Sequence, residues 1–144
     1  EGILKAEIAW MCTGNPYIGV PGVSNHKGLE TVLRKLKEQG LKRVYECYDM
    51  DKMMELSCKH DEKSACRQCE HGIHLYHGEC PRKRRKRDMI RKGCIKLYEI
   101  CEELNVSCKR VTWDTDASGT WMEHYKGVDD WILQKEEKEH RKTA

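Results

Sequence analysis

Leu41-Lys42-Arg43-Val44-Tyr45-Glu46-Cys47-Tyr48-Asp49-Met50-Asp51 decides the fold. Residues 41–48 follow a glycine and carry the β-prone side chains of a strand, and that strand delivers an Asp-x-Asp at its end. In extended chain, side chains two positions apart share a face, so Asp49 and Asp51 are expected to offer two carboxylates to one hard cation. Upstream, Leu29, Val32, Leu33 and Leu36 recur at helical spacing, with Ser24 or Asn25 as the cap and Gly40 as the stop. Earlier still, 17–20 is a short β-prone run halted by Pro21-Gly22, and 3–12 reads as a short helix ended by Gly14-Asn15-Pro16. Helix, strand, helix, strand in this order predicts an α/β fold with a parallel sheet.

Downstream, apolar periodicity disappears over 55–87 and resumes at Asp88. Ile90, Cys94, Leu97, Tyr98, Cys101 and Leu104 then mark an amphipathic helix that Asn105 closes in the left-handed conformation. Residues 107–113 form the next strand and 114–127 a loop. A terminal helix is expected over 128–138, fading into the charged tail 136–142. The scaffold is thus 1–54 and 88–144, with 55–87 inserted.

The insertion carries Cys58, His60, Cys66, Cys69, His71, His74, His77 and Cys80. Cys66-x-x-Cys69 is half of a tetrahedral zinc site, because both thiolates reach one ion across a tight turn. An all-cysteine set of Cys58, Cys66, Cys69 and Cys80 is the first choice, with His71, His74 or His77 as alternatives. A segment so poor in large apolar side chains cannot bury enough surface to fold alone, so the zinc is expected to be structural. Arg82, Lys83, Arg84, Arg85, Lys86 and Arg87 follow without interruption and point to a phosphate-bearing partner such as nucleic acid.

The composition narrows the function classes. With 144 residues and 38% apolar content the chain can build one domain with a core. The net charge of +3 places any attraction to nucleic acid in local patches rather than in the whole molecule. No apolar run approaches the ~18 residues of a membrane span, and no signal-peptide pattern opens the chain. Nine cysteines, an odd number clustered among histidines, fit metal ligation in a reducing compartment better than a disulfide framework. A soluble, cytoplasmic protein is the expectation. Cys12, Cys47, Cys94, Cys101 and Cys108 read as core or surface thiols. Trp10, Trp113 and Trp131 read as packing residues and Trp121, in a polar loop, as exposed. Asp114 and Asp116 form a second Asp-x-Asp within a Gly/Ser/Thr loop.

Glu1-Gly2-Ile3-Leu4-Lys5-Ala6, the stretch 41–51 with its Asp-x-Asp, and Lys126-Gly127-Val128-Asp129-Asp130-Trp131 occur in an order that resembles the Toprim fold of bacterial primases, topoisomerases and certain nucleases. More closely, they resemble the Toprim-like domain of unknown function found in phage and plasmid replication proteins, elements of mobile genetic material. The resemblance covers roughly 1–54 and 88–135, and it departs from the family where the insertion follows the Asp-x-Asp. It implies a further strand ahead of Glu1, so that the chain is a piece of a larger protein. It also implies a magnesium-dependent centre, with Glu1 as acid/base residue and Asp49 and Asp51 holding magnesium or manganese. Lys126 would meet a phosphate, and Asp129 or Asp130 would complete the acidic set. Lys5 reads as a solvated lysine. The implied function is primase-like phosphoryl or nucleotidyl transfer on a DNA template. A metal-dependent nuclease and a non-catalytic nucleic-acid-binding module stand as alternatives.

Overall fold

Strands β1 (Arg43–Glu46) and β2 (Ser107–Arg110) lie side by side in parallel, Arg43 opposite Ser107 and Glu46 opposite Arg110. Parallel neighbours require a crossover, and helix α3 (Pro81–Glu103) supplies it. Three further helices, α1 (Ile3–Thr13), α2 (Lys27–Glu38) and α4 (Val128–Thr143), complete a mixed α/β fold in which a two-stranded parallel sheet is flanked by helices. The computed structural model describes residues 2–57 and 79–143. Glu1, Cys58, Cys66, Cys69, His71, His74 and His77 lie outside the described residues.

Two apolar clusters meet at the Asp-x-Asp turn. One gathers Leu29 and Leu33 of α2 with Ile90, Cys94, Leu97, Ile100 and Cys101 of α3, and includes Tyr48. The other joins Ala9 of α1, Val128 and Ile132 of α4, Trp113 and Trp121, and includes Met50. Asp49 therefore stands between two buried anchors that belong to different clusters.

Several local expectations need correction. Residues 17–20 form no strand: Val20 accepts one hydrogen bond, from Gly2 N at 2.7 Å, and Gly19 is pressed against α1, where a Cβ would lie 2.7 Å from Ile3 Cα. Helix α2 is capped at His26 rather than at Ser24 or Asn25. Helix α3 begins at Pro81, well ahead of Asp88, because proline at the first helical position needs no N–H partner and the cations behind it are good helix formers. Gly14, at φ 68°, and Asn105, at φ 52°, end α1 and α3 in the left-handed region as their positions require.

The insertion leaves and re-enters the scaffold through a narrow stem. Ser57 and Glu79 form an antiparallel bridge, and Cys80 N donates to Leu56 O at 2.7 Å. Among the described residues, no helix is long and apolar enough to cross a membrane.

Candidate functional site

Asp49 leaves β1 in an extended conformation, but Asp51 lies in a one-turn 3-10 helix, Met50–Met53. The two carboxylates therefore converge through a tight turn and not through strand alternation. Both are buried, with side chains 4% and 3% exposed, while the cations around them are about a third to a half exposed. Lys5 Nζ donates to both oxygens of Asp49, at 2.9 and 3.1 Å. Lys126 Nζ spans the pair, 2.9 Å from Asp49 Oδ2 and 3.3 Å from Asp51 Oδ2. Lys86 Nζ is 2.9 Å from the same Asp51 oxygen, and both ammonium groups meet that oxygen as charge contacts without hydrogen-bond geometry.

Each lysine arrives from a different element. Lys5 comes from α1, Lys86 from the first turns of α3, and Lys126 from the segment ahead of α4, whose backbone is tied to the turn by Met50 N donating to Lys126 O at 2.9 Å. Burial alone would raise the Asp49 carboxyl pKa, but hydrogen bonds from Lys126 and Lys5, with their charges, hold it below the usual range. Its share of stability is present in full above the ordinary carboxyl pKa and is lost as pH falls through the lowered one. The hydrogen bond to Asp49, followed by the attraction of both carboxylates, overcomes burial and raises the pKa of Lys126.

The last motif is resolved between its two aspartates. Asp129 is buried, and its Oδ1 has no hydrogen-bond partner; Oδ1 and Lys5 Nζ crowd the same face of Gly127. Asp130 is exposed and accepts a long contact from Gly127 N, at 3.4 Å, as a residue in the first turn of a helix does. Asp130 is thus not placed as an inward ligand. Among the described residues, no group of three or more His, Cys, Asp or Glu side chains is arranged to hold one metal ion.

A second polar knot supports the turn. Glu46, whose side chain is fully buried, accepts from Tyr48 N and Lys52 Nζ, each at 2.7 Å, and from Tyr98 Oη and Arg110 Nε at 3.1 and 3.2 Å. Lys52 Nζ also donates to Val111 O at 3.1 Å and lies 5.3 Å from the centre of the Trp113 ring. Burial pushes the Tyr98 hydroxyl up to about 12, so it stays protonated and available as a donor. Arg91 Nε binds Lys52 O at 3.0 Å, which fastens α3 to the same turn.

The remaining candidates divide as follows. The six cations of 82–87 do not form one strip, because a helix distributes consecutive residues around its axis. Lys83 donates to Ser57 O at 3.1 Å, Lys86 faces Asp51, Arg84 pairs with Glu79, and Arg87 is half-buried beside Asp88. Arg82 and Arg85 are exposed. Cys80 is a free, half-buried thiol at the start of α3. Asp114 and Asp116 brace their loop: Asp114 accepts from His124 N, Tyr125 N and the His124 ring, and Asp116 from Ser118 and Thr120. Trp121 is buried rather than exposed, its indole and that of Trp113 both donating to Tyr125 O, whereas Trp10 is the exposed tryptophan. Sequence reasoning missed Lys5 and the Glu46–Lys52 pair as parts of the site, and it placed Lys86 in the basic run without its contact to Asp51. Lys5 left a trace by falling within the Glu-Gly-x-x-Lys-Ala stretch, and Glu46 and Lys52 left none.

Comparison with family models, with curated proteins and with solved structures finds no match to the chain.

Proposed function

We propose that the chain is a Toprim-type, magnesium-dependent domain of a DNA replication protein that performs primase-like phosphoryl or nucleotidyl transfer on DNA. The observation that carries this reading is the position of Lys126 Nζ, one positive charge held in common by two buried carboxylates. A cation that one or two carboxylates bind, with water and phosphate filling its other positions, suits that donor set, and magnesium is such a cation. When bound there, magnesium or manganese neutralises charge developing on a phosphoryl oxygen. Asp49 and Asp51 hold it, Glu1 moves the proton, and Lys126 with the exposed Arg82 and Arg85 steadies the phosphate backbone. A structural zinc on Cys58, Cys66, Cys69 and Cys80, or on a mixed set with His71, His74 or His77, orders the insertion.

A second reading, a non-catalytic nucleic-acid-binding module, is favoured by the same ammonium groups, since they already neutralise the carboxylates. Titration with manganese, after tightly bound zinc has been quantified, separates the two. Loss of orienting neighbours alone weakens metal sites by ~10–100-fold, so Asp49→Asn with Asp51→Asn is expected to weaken manganese binding by at least that much. Binding indifferent to both substitutions, or absent from the wild type with inorganic phosphate present, supports the module. Incubation with single-stranded DNA and nucleotides then discriminates extension from the cleavage a nuclease would give.

DNA attraction is assigned to the exposed arginines. Arg82→Gln with Arg85→Gln is expected to weaken single-stranded DNA binding and to reduce the slope of log K against log salt by about 1.4, at ~0.7 per phosphate contact. An unchanged slope, measured by fluorescence anisotropy across salt concentrations, removes this face of α3 from the interface.

A further inference from the structure

Three ammonium groups rest on two buried carboxylates, and a third buried carboxylate beside them has an oxygen without a partner. The arrangement is asymmetric in mobility. Asp49 and Asp51 are fixed by the turn and its anchors, whereas Lys5, Lys86 and Lys126 are long side chains a third to a half exposed to solvent. Withdrawing a lysine with nothing in its place would strand a buried negative charge, which is strongly unfavourable. Adding a divalent cation while all three lysines stay would bring like charges into contact. Exchange avoids both penalties. The ammonium departs as the cation arrives, and it needs an anion outside the carboxylates.

Resting on the reading that Asp49 and Asp51 hold a divalent cation, we propose that Lys86 and Lys126 are resident counter-ions of this site, displaced by that cation and transferred to the phosphate oxygens of the ligand that accompanies it. The site then takes a cation and a phosphate as a pair and resists the cation alone. Lys126 moves least, because its backbone carbonyl is held by Met50 N. Lys86 touches one carboxylate where Lys126 touches two, so it is the first to leave. Lys5, with two hydrogen bonds to Asp49, remains as an orienting group. The unpartnered Asp129 Oδ1, on the face of Gly127 that Lys5 also lines, is a second acceptor toward which the Lys5 ammonium can turn.

The exchange predicts an inverted effect of mutation. Lys86→Gln with Lys126→Gln removes two competitors, and manganese binding in the absence of phosphate is expected to tighten by about 10-fold, within the range of ordinary coupling energies. Inorganic phosphate is expected to tighten manganese binding to the wild-type chain and to have a smaller effect on the double variant. Both quantities are read from the free manganese signal in electron paramagnetic resonance, with Lys86→Gln alone as a milder variant and thermal melting to verify folding. Manganese binding that depends on Asp49 and Asp51 but is unchanged or weaker in the lysine variants overturns the exchange and leaves the metal reading standing. Binding absent from every variant, or indifferent to Asp49→Asn and Asp51→Asn, overturns both.

Discussion

Lys52→Met is expected to lower the unfolding free energy by about 3–5 kcal/mol, the range found when one partner of a buried ion pair is removed. Neither side chain of the Glu46–Lys52 pair reaches solvent, and their atoms are 2.7 Å apart. Methionine fills most of the volume but leaves Glu46 Oε1 with Tyr48 N alone, while Arg110 and Tyr98 still serve Oε2. The loss therefore belongs near the lower end of the range. Adding Glu46→Gln removes the stranded charge and is expected to recover part of it, since a neutral amide can still accept from Tyr48 N. Urea denaturation of the two single variants and the double variant gives the coupling directly. A double variant whose loss equals the sum of the two single losses would mean that Glu46 is held chiefly by Arg110 and not by Lys52.

Gly93→Val comes next, with a loss of about 3 kcal/mol at the upper end of overpacking effects. A Cβ at Gly93 would collide with Val23 Cγ2 and stand 2.6 Å from Val23 O. The second contact is with backbone, so relief requires the 20–23 segment to move away from α3. Alanine in place of a helical glycine ordinarily gains about 1 kcal/mol, and Gly93→Ala is nevertheless expected to destabilise because the collision outweighs that gain. Thermal unfolding followed by far-ultraviolet circular dichroism measures both variants. A stabilised Gly93→Ala would show that the loop yields easily.

The elements legible in the sequence were those whose cause is local. The stripe of Leu29 and Leu33, the stops at Gly40 and Asn105, and the strand Arg43–Glu46 that leads toward Asp49 each follow from spacing and from the conformations a few residues allow. What escaped depends on distant partners. Lys5 meets Asp49 across forty-four positions, so a one-dimensional reading left it in solvent. The cations of 82–87 look like one basic strip until a helix turns Lys83 and Lys86 toward the body. Trp121 sits in a polar loop, yet its indole finds Tyr125 O and its ring joins the second cluster. Tyr17–Val20 has strand-forming residues and no neighbouring strand among the described residues to pair with. Cys66 and Cys69, the most specific signal of the insertion, lie outside the described residues.

The bridge between Ser57 and Glu79 gives the molecule a socket. Ser57 and Glu79 face each other as a closed pair, so the two ends of the chain that meets them are brought together at one point of the scaffold, and neither residue belongs to either apolar cluster. The downstream side of that socket is rigid: Cys80 passes straight into α3, and at 1.5 Å per residue Lys86 follows about 9 Å along the rod. A displacement of Glu79 is therefore carried along under two helical turns to the ammonium that touches Asp51.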